Sequence, residues 1–143
     1  DVASNVSWGP GTFSDSFFME MNGFSADVAS EDWLISPELD LTSLANAFMY
    51  LGHERGFGGP ALEILVSTNY SGTGDPNLAT WVTLPLASPL AADFSDTVTD
   101  TGETSLNAYL GQTIHIGIKY TSTAPGAGNG ARDRIHYFVF GGN

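Results

Sequence analysis

Apolar and polar residues alternate with a period of two in several short stretches of the chain, each bounded by turn residues. From Ile114 to Tyr120, the residues Ile114, Ile116, Ile118 and Tyr120 fall on one face and His115, Gly117 and Lys119 on the other, the pattern of a half-buried strand. Leu62 to Thr68 is aliphatic and β-branched, lies between Gly58-Gly59-Pro60 and Asn69-Tyr70-Ser71-Gly72, and reads as a central strand. Further strands are predicted at Phe17 to Met21, Trp33 to Ser36, Ala47 to Leu51, Trp81 to Leu84 and Arg134 to Phe140. Leu41 to Asn46 is too short for more than one helical turn or a loop. This many short strands with no long helical period predict an all-β chain folded as an antiparallel sandwich.

Composition agrees. A chain of 143 residues that is 42% hydrophobic and 14% charged, with 17 Gly, is too apolar for a disordered segment. Its length predicts one domain over residues 1–143, and no Gly-rich stretch is followed by the compositional shift that marks a boundary. Cysteine is absent, which removes disulfides, thiolate metal sites and a cysteine nucleophile. Four Lys and Arg stand against sixteen Asp and Glu, a net charge of −12. Nucleic acid and anionic membranes both demand clustered cations, so neither is an expected partner. No apolar run reaches the roughly 18 residues that span a bilayer.

Three groups of residues carry a resemblance. They are Glu31-Asp32-Trp33-Leu34-Ile35-Ser36-Pro37-Glu38-Leu39-Asp40-Leu41, then Leu62 to Pro76 with Ala79-Thr80-Trp81, then Ser105 to Gly111 followed by Ile114 to Ser122. In order and spacing this chain resembles the choice-of-anchor J and cleaved-adhesin group of bacterial secreted domains, from about Trp8 to Phe140. The resemblance implies a β-sandwich of jelly-roll type, non-catalytic, secreted, and excised from a larger protein in which it is attached to a catalytic domain or to adhesin modules. Two departures stand out. The chain starts after the position of the family's first strand, and the closing strand carries Asp133 where the family has a tryptophan and His136 where it has an aspartate. That aspartate is a plausible structural calcium ligand in the family, and an imidazole is not a donor calcium favours.

No catalytic constellation is visible. His53, His115 and His136 are far apart, and neither a His-Glu-x-x-His pair nor a Gly-x-Ser-x-Gly elbow occurs. Acidic clusters at Asp93, Asp96, Asp100 and Glu103, and at Asp27, Glu31 and Asp32, have the ligand type for a structural calcium ion but lack EF-hand spacing, and equally describe a solvated face. The cations are more pointed. Arg55, Arg132 and Arg134 lie in or beside two Gly-rich loops, with His53 next to the first and His136 next to the second. Brought together, His53, Glu54, Arg55, Phe57, Arg132, Asp133 and Arg134 would bond sugar hydroxyls, or a sulfate or carboxylate, around an aromatic platform. The alternative is that each Arg pairs with a neighbouring acid and only holds a loop. Trp8, Phe57 and Tyr137 are the platform candidates, whereas Trp33 and Trp81 are assigned to the core. The expected function is a non-catalytic carbohydrate-binding module holding a secreted enzyme on a polysaccharide or oligosaccharide, neutral or sulfated; the alternative is a protein-binding adhesin or interdomain module.

Overall fold

The structure is a computed structural model, and it describes residues 6–24, 26, 28–123 and 128–143. Two antiparallel sheets face each other. The first contains β1 (Gly9–Phe13), β2 (Ser16–Asn22), β11 (Arg132–Gly142), β5 (Ala47–Gly56) and β8 (Thr99–Asp100) in that spatial order, with β9 (Thr104–Ser105) also on β5. The second runs β3 (Ser30–Ile35), β10 (Thr113–Ser122), β6 (Glu63–Ser67), β7 (Val82–Thr83), and β4 (Leu39–Asp40) continues beside β10. Because most connections carry the chain from one sheet to the other, the strands wind as a jelly-roll-type sandwich. Each of the seven predicted strands is present. Sequence periodicity missed β1, β4, β8 and β9, which are short, Gly-bearing or polar, and are held by pairing rather than by their own apolar face. Leu41 to Asn46 forms turns and no helix.

Between the sheets lies one continuous core. Ala47, Met49 and Leu51 of β5 meet Ile64 and Val66 of β6 and Ile114, Ile116 and Ile118 of β10, all almost fully buried. Trp33 and Trp81 are not part of it, contrary to their sequence assignment. Trp33 pairs across from Lys119, on the face of β10 that carries His115 and Gly117, so both indoles lie on the outside of the second sheet. They close over the bare backbone of Gly117, where an added Cβ would sit 2.8 Å from the Trp81 ring. Glu31 accepts from Trp33 Nε1 and the Pro76 carbonyl from Trp81 Nε1, so the pair forms a satisfied satellite cluster with Tyr70 at its edge.

Tyr120 ends the core side of β10 and ties the two sheets. Its buried hydroxyl donates to the Ala131 carbonyl at 2.8 Å and accepts from the Gly23 amide at 3.0 Å. Burial, followed by the nearby Asp133 charge, pushes its pKa up to about 12. The native state therefore keeps a proton that the unfolded chain loses near pH 10, so this contribution is intact below about pH 10 and is lost as pH rises toward 12. Tyr120→Phe removes both hydroxyl bonds but leaves the Gly23 amide on the Ala131 carbonyl at 3.2 Å, and is expected to cost about 0.5–1.5 kcal/mol at neutral pH, with a shallower alkaline decline than the parent. Urea unfolding at about pH 7 and about pH 10.5 checks both.

Candidate functional site

Register decides what the predicted site becomes. β5 and β11 are neighbours, pairing Arg132 with Gly56, Asp133 with Arg55, Arg134 with Glu54 and Ile135 with His53. The two arginine-bearing segments are therefore adjacent, and they sit in strands rather than in loops. Strand alternation then splits the set between two faces. His53, Arg55 and Asp133 point inward, whereas Glu54, Arg132 and Arg134 point outward.

Inside, the three side chains form a closed polar network. Asp133 is fully buried and accepts from Arg55 Nη1 at 2.9 and 3.1 Å. The Ala91 amide donates to His53 Nδ1 at 3.0 Å, which assigns the proton to Nε2, and that N–H donates to Asp133 Oδ1 at 2.9 Å. Arg55 also donates to Asp93 and to the Gly59 and Pro60 carbonyls. Buried charge of this kind survives only when paired and hydrogen-bonded, and here it pins the 59–60 and 91–93 segments against β5. As placed, these three side chains anchor loops and present no surface to a polymer.

Outside, the other half of the set lines a cleft of about 440 Å³ with Phe13, Phe18, Asp96 and His136. Its floor is one rung across three strands, with Arg134 facing Glu20 of β2 on one side and Glu54 of β5 on the other. Arg134 donates through Nε to Glu20 at 2.6 Å and through Nη1 to Glu54 at 2.9 Å, and its guanidinium lies 4.3 Å from the Phe18 ring centroid. Arg132 Nη2 bridges Glu54 and Asp96, while His136 Nε2 meets the second Glu54 oxygen at 2.9 Å. Glu54 is thus the hub. Burial alone would raise its pKa, but the hydrogen bond to His136 and the charges of Arg134, His136 and Arg132 outweigh that and hold the carboxyl below its ordinary range. A Cβ at Gly56 would sit 2.7 Å from Arg132 Nη2 and 2.8 Å from Asp96 Oδ1, so a side chain there would displace this ion pair.

His136 joins this face through an irregularity. The β11–β5 register shifts between Ile135 and Tyr137, so His136 is an extra residue, a β-bulge that leaves Arg134 and His136 outward while Ile135 and Phe138 still pack inward. Pairing of β2 with β11 also stops at Met19 and Ile135. Beyond that point the strands part and open a second, apolar cleft of about 500 Å³, floored by Ile116, Ile118 and Ile135 and rimmed by Phe17, which is 76% exposed. Phe18 and His136 line both openings.

Of the predicted platforms, Phe57 is half-buried, stacks on Phe24 with centroids 4.4 Å apart, and has Arg132 5.7 Å from its ring. Tyr137 covers Gly52 and donates its hydroxyl to Asp100 at 2.7 Å. Trp8 packs partly on the core. Phe13, 67% exposed at the cleft mouth, was not anticipated; its position in a strand with no apolar period gave no signal. The acidic candidates for calcium go to separate partners, Asp93 to Arg55, Asp96 to Arg132 and Asp100 to Tyr137 and the Gly102 amide, and Asp27 lies outside the described residues. Among the described residues no three His, Asp or Glu side chains converge as a metal-holding group, and no helix is long and apolar enough to cross a membrane.

No family model and no curated protein matches the chain. The solved K1 cleaved adhesin domain of Lys-gingipain from Porphyromonas gingivalis superposes with a TM-score of 0.54 at 13% identity, over 97% of this chain and 85% of that one. At that identity the likeness is one of fold, and the chain has a cleaved-adhesin-like β fold.

Proposed function

We propose that this chain is a non-catalytic binding module of an extracellular protein, and that it holds a polysaccharide in the outer cleft of the first sheet. The observation that carries this reading is the cleft itself. Guanidinium, imidazole and carboxylate groups, fixed by one another on a rigid sheet, surround an opening with an exposed ring, Phe13, at its mouth. A pyranose offers an apolar face to a ring and hydroxyls to such a rim. Side chains already immobilised lose little entropy when a ligand binds, which suits the millimolar to micromolar affinity that is sufficient to keep an attached catalytic domain near its polymer. The adhesin-like fold fits the extracellular setting.

Affinity electrophoresis in gels containing soluble polysaccharides tests the reading. Retardation by at least one polymer is expected, and Arg132→Ala, which removes an outward side chain without touching the buried network, is expected to weaken it by about tenfold, the equivalent of about 1.4 kcal/mol. Equal retardation of parent and variant moves the site elsewhere.

A second reading has its own observation. The apolar cleft beside Phe17 suits an apolar side chain of a protein partner, as an adhesin or interdomain module requires. Phe17→Ser separates the two, because it removes that surface and leaves the polar cleft intact.

A further inference from the structure

Resting on the polysaccharide reading, we infer that the outer cleft selects neutral, hydroxyl-rich glycan and rejects sulfated or uronate-bearing chains. Sequence alone left both open, because arginine next to glycine suggests an anion site as readily as a polyol site. Charge placement separates them.

Each guanidinium in the cleft is already held by two carboxylates, Arg132 by Glu54 and Asp96 and Arg134 by Glu20 and Glu54. Three carboxylates therefore face two guanidinium groups, and the His136 imidazole is itself taken up by the second Glu54 oxygen. The chain as a whole carries −12. An incoming sulfate meets no uncompensated cation, and to reach one it must displace Glu20 or Glu54, which belong to the sheet, or Asp96, whose amide is bonded to the Arg55 carbonyl of β5.

Exposure points the same way. The Asp96 side chain is 61% exposed, whereas those of Arg132 and Arg134 are 20% and 16% exposed. What a ligand meets first is an acceptor, so the ligand must bring donors. Hydroxyl groups do this and also accept from the remaining guanidinium N–H groups, while sulfate and carboxylate groups only accept. Glu54, held below the ordinary carboxylate range, keeps this acceptor character throughout the neutral pH range.

The test uses pairs of polymers with one backbone and different charge: desulfated carrageenan against carrageenan, and dextran against dextran sulfate and against the cationic diethylaminoethyl dextran, in affinity electrophoresis from about 20 mM to about 500 mM salt. Retardation by a neutral member is expected, at least about tenfold stronger than by its sulfated partner and unchanged by salt. Glu54→Gln with Asp96→Asn leaves one carboxylate against two guanidinium groups, and is expected to lose neutral binding and to gain salt-sensitive retardation by the sulfated partner. Stronger binding of the parent to a sulfated polymer, or to the cationic dextran alone, overturns the neutral selectivity. Retardation by none of these, from protein with an intact unfolding transition, overturns the polysaccharide reading as well.

Discussion

Asp133→Ala is expected to destabilise the fold by about 3–5 kcal/mol, the range for removing one partner of a buried ion pair. The substitution strands the Arg55 guanidinium, whose Nη1 loses both of its acceptor contacts, in a setting where Arg55 itself is 3% exposed. It also leaves the His53 Nε2–H without its acceptor. Asp93 compensates little, because it reaches only Arg55 Nε and is half exposed, so that contact is screened. Removing both charges at once is a different experiment. In Arg55→Met with Asp133→Leu the buried ion pair is gone, and part of the loss is expected to return, because the His53 Nε2–H and the Gly59 and Pro60 carbonyls still lack the partners that the pair supplied. Urea unfolding followed by tryptophan fluorescence measures both; a cost below about 1 kcal/mol for Asp133→Ala would mean that the network is open to water.

The second large effect lies one turn of alternation away. Leu51→Ala deletes a side chain that is fully buried at the centre of β5, with Thr101 bonding its amide and Ile and Val side chains of the opposite sheet packed among its neighbours. The walls there belong to paired strands on both sides and have little freedom to collapse, so the loss is expected near the upper part of the about 2–5 kcal/mol range for such substitutions. Leu34→Ala is the contrast. Leu34 is only partly buried and lines the apolar cleft, where the space next to it is already open, so its truncation is expected to cost less than about 1.5 kcal/mol. Equal costs at the two positions would mean that the cleft is closed in solution.

How much of this could be read in the sequence depends on which residues are asked. The inward row of β10 was fully legible, since Ile114, Ile116, Ile118 and Tyr120 alternate with small or polar partners and leave one parity open. The adjacency of the two arginine segments entered only as a condition, which the β5–β11 register supplies, and their facing was not legible. In His53-Glu54-Arg55 and Arg132-Asp133-Arg134 both parities are polar, so hydropathy cannot choose the side that enters the core. Extending the inward parity of Ala47, Met49 and Leu51 would have sent His53 and Arg55 inside correctly. Extending the parity of Phe138 and Phe140 back along β11 would have placed Arg132 and Arg134 inside, wrongly, because the bulge at His136 resets the count and no glycine marks it. The tryptophans failed for a related reason. Bulk predicts burial, but Trp33 shares its face with Lys119 and Gly117, and an indole lying over a glycine gains its contacts from outside the sandwich.

Mapping the contact surface decides whether the outward half of the arginine cluster is a ligand site. Two-dimensional amide spectra of labelled protein, titrated with oligosaccharides cut from the polymer that retards it, locate the bound sugar. Shifts are expected to concentrate on Phe13, Phe18, Glu54, Asp96, Arg132, Arg134 and His136, and to leave Leu34, Ile35 and Ser36 at the apolar cleft unmoved. Shifts confined to that apolar cleft, or to the Trp33 and Trp81 cluster on the opposite sheet, would contradict that assignment.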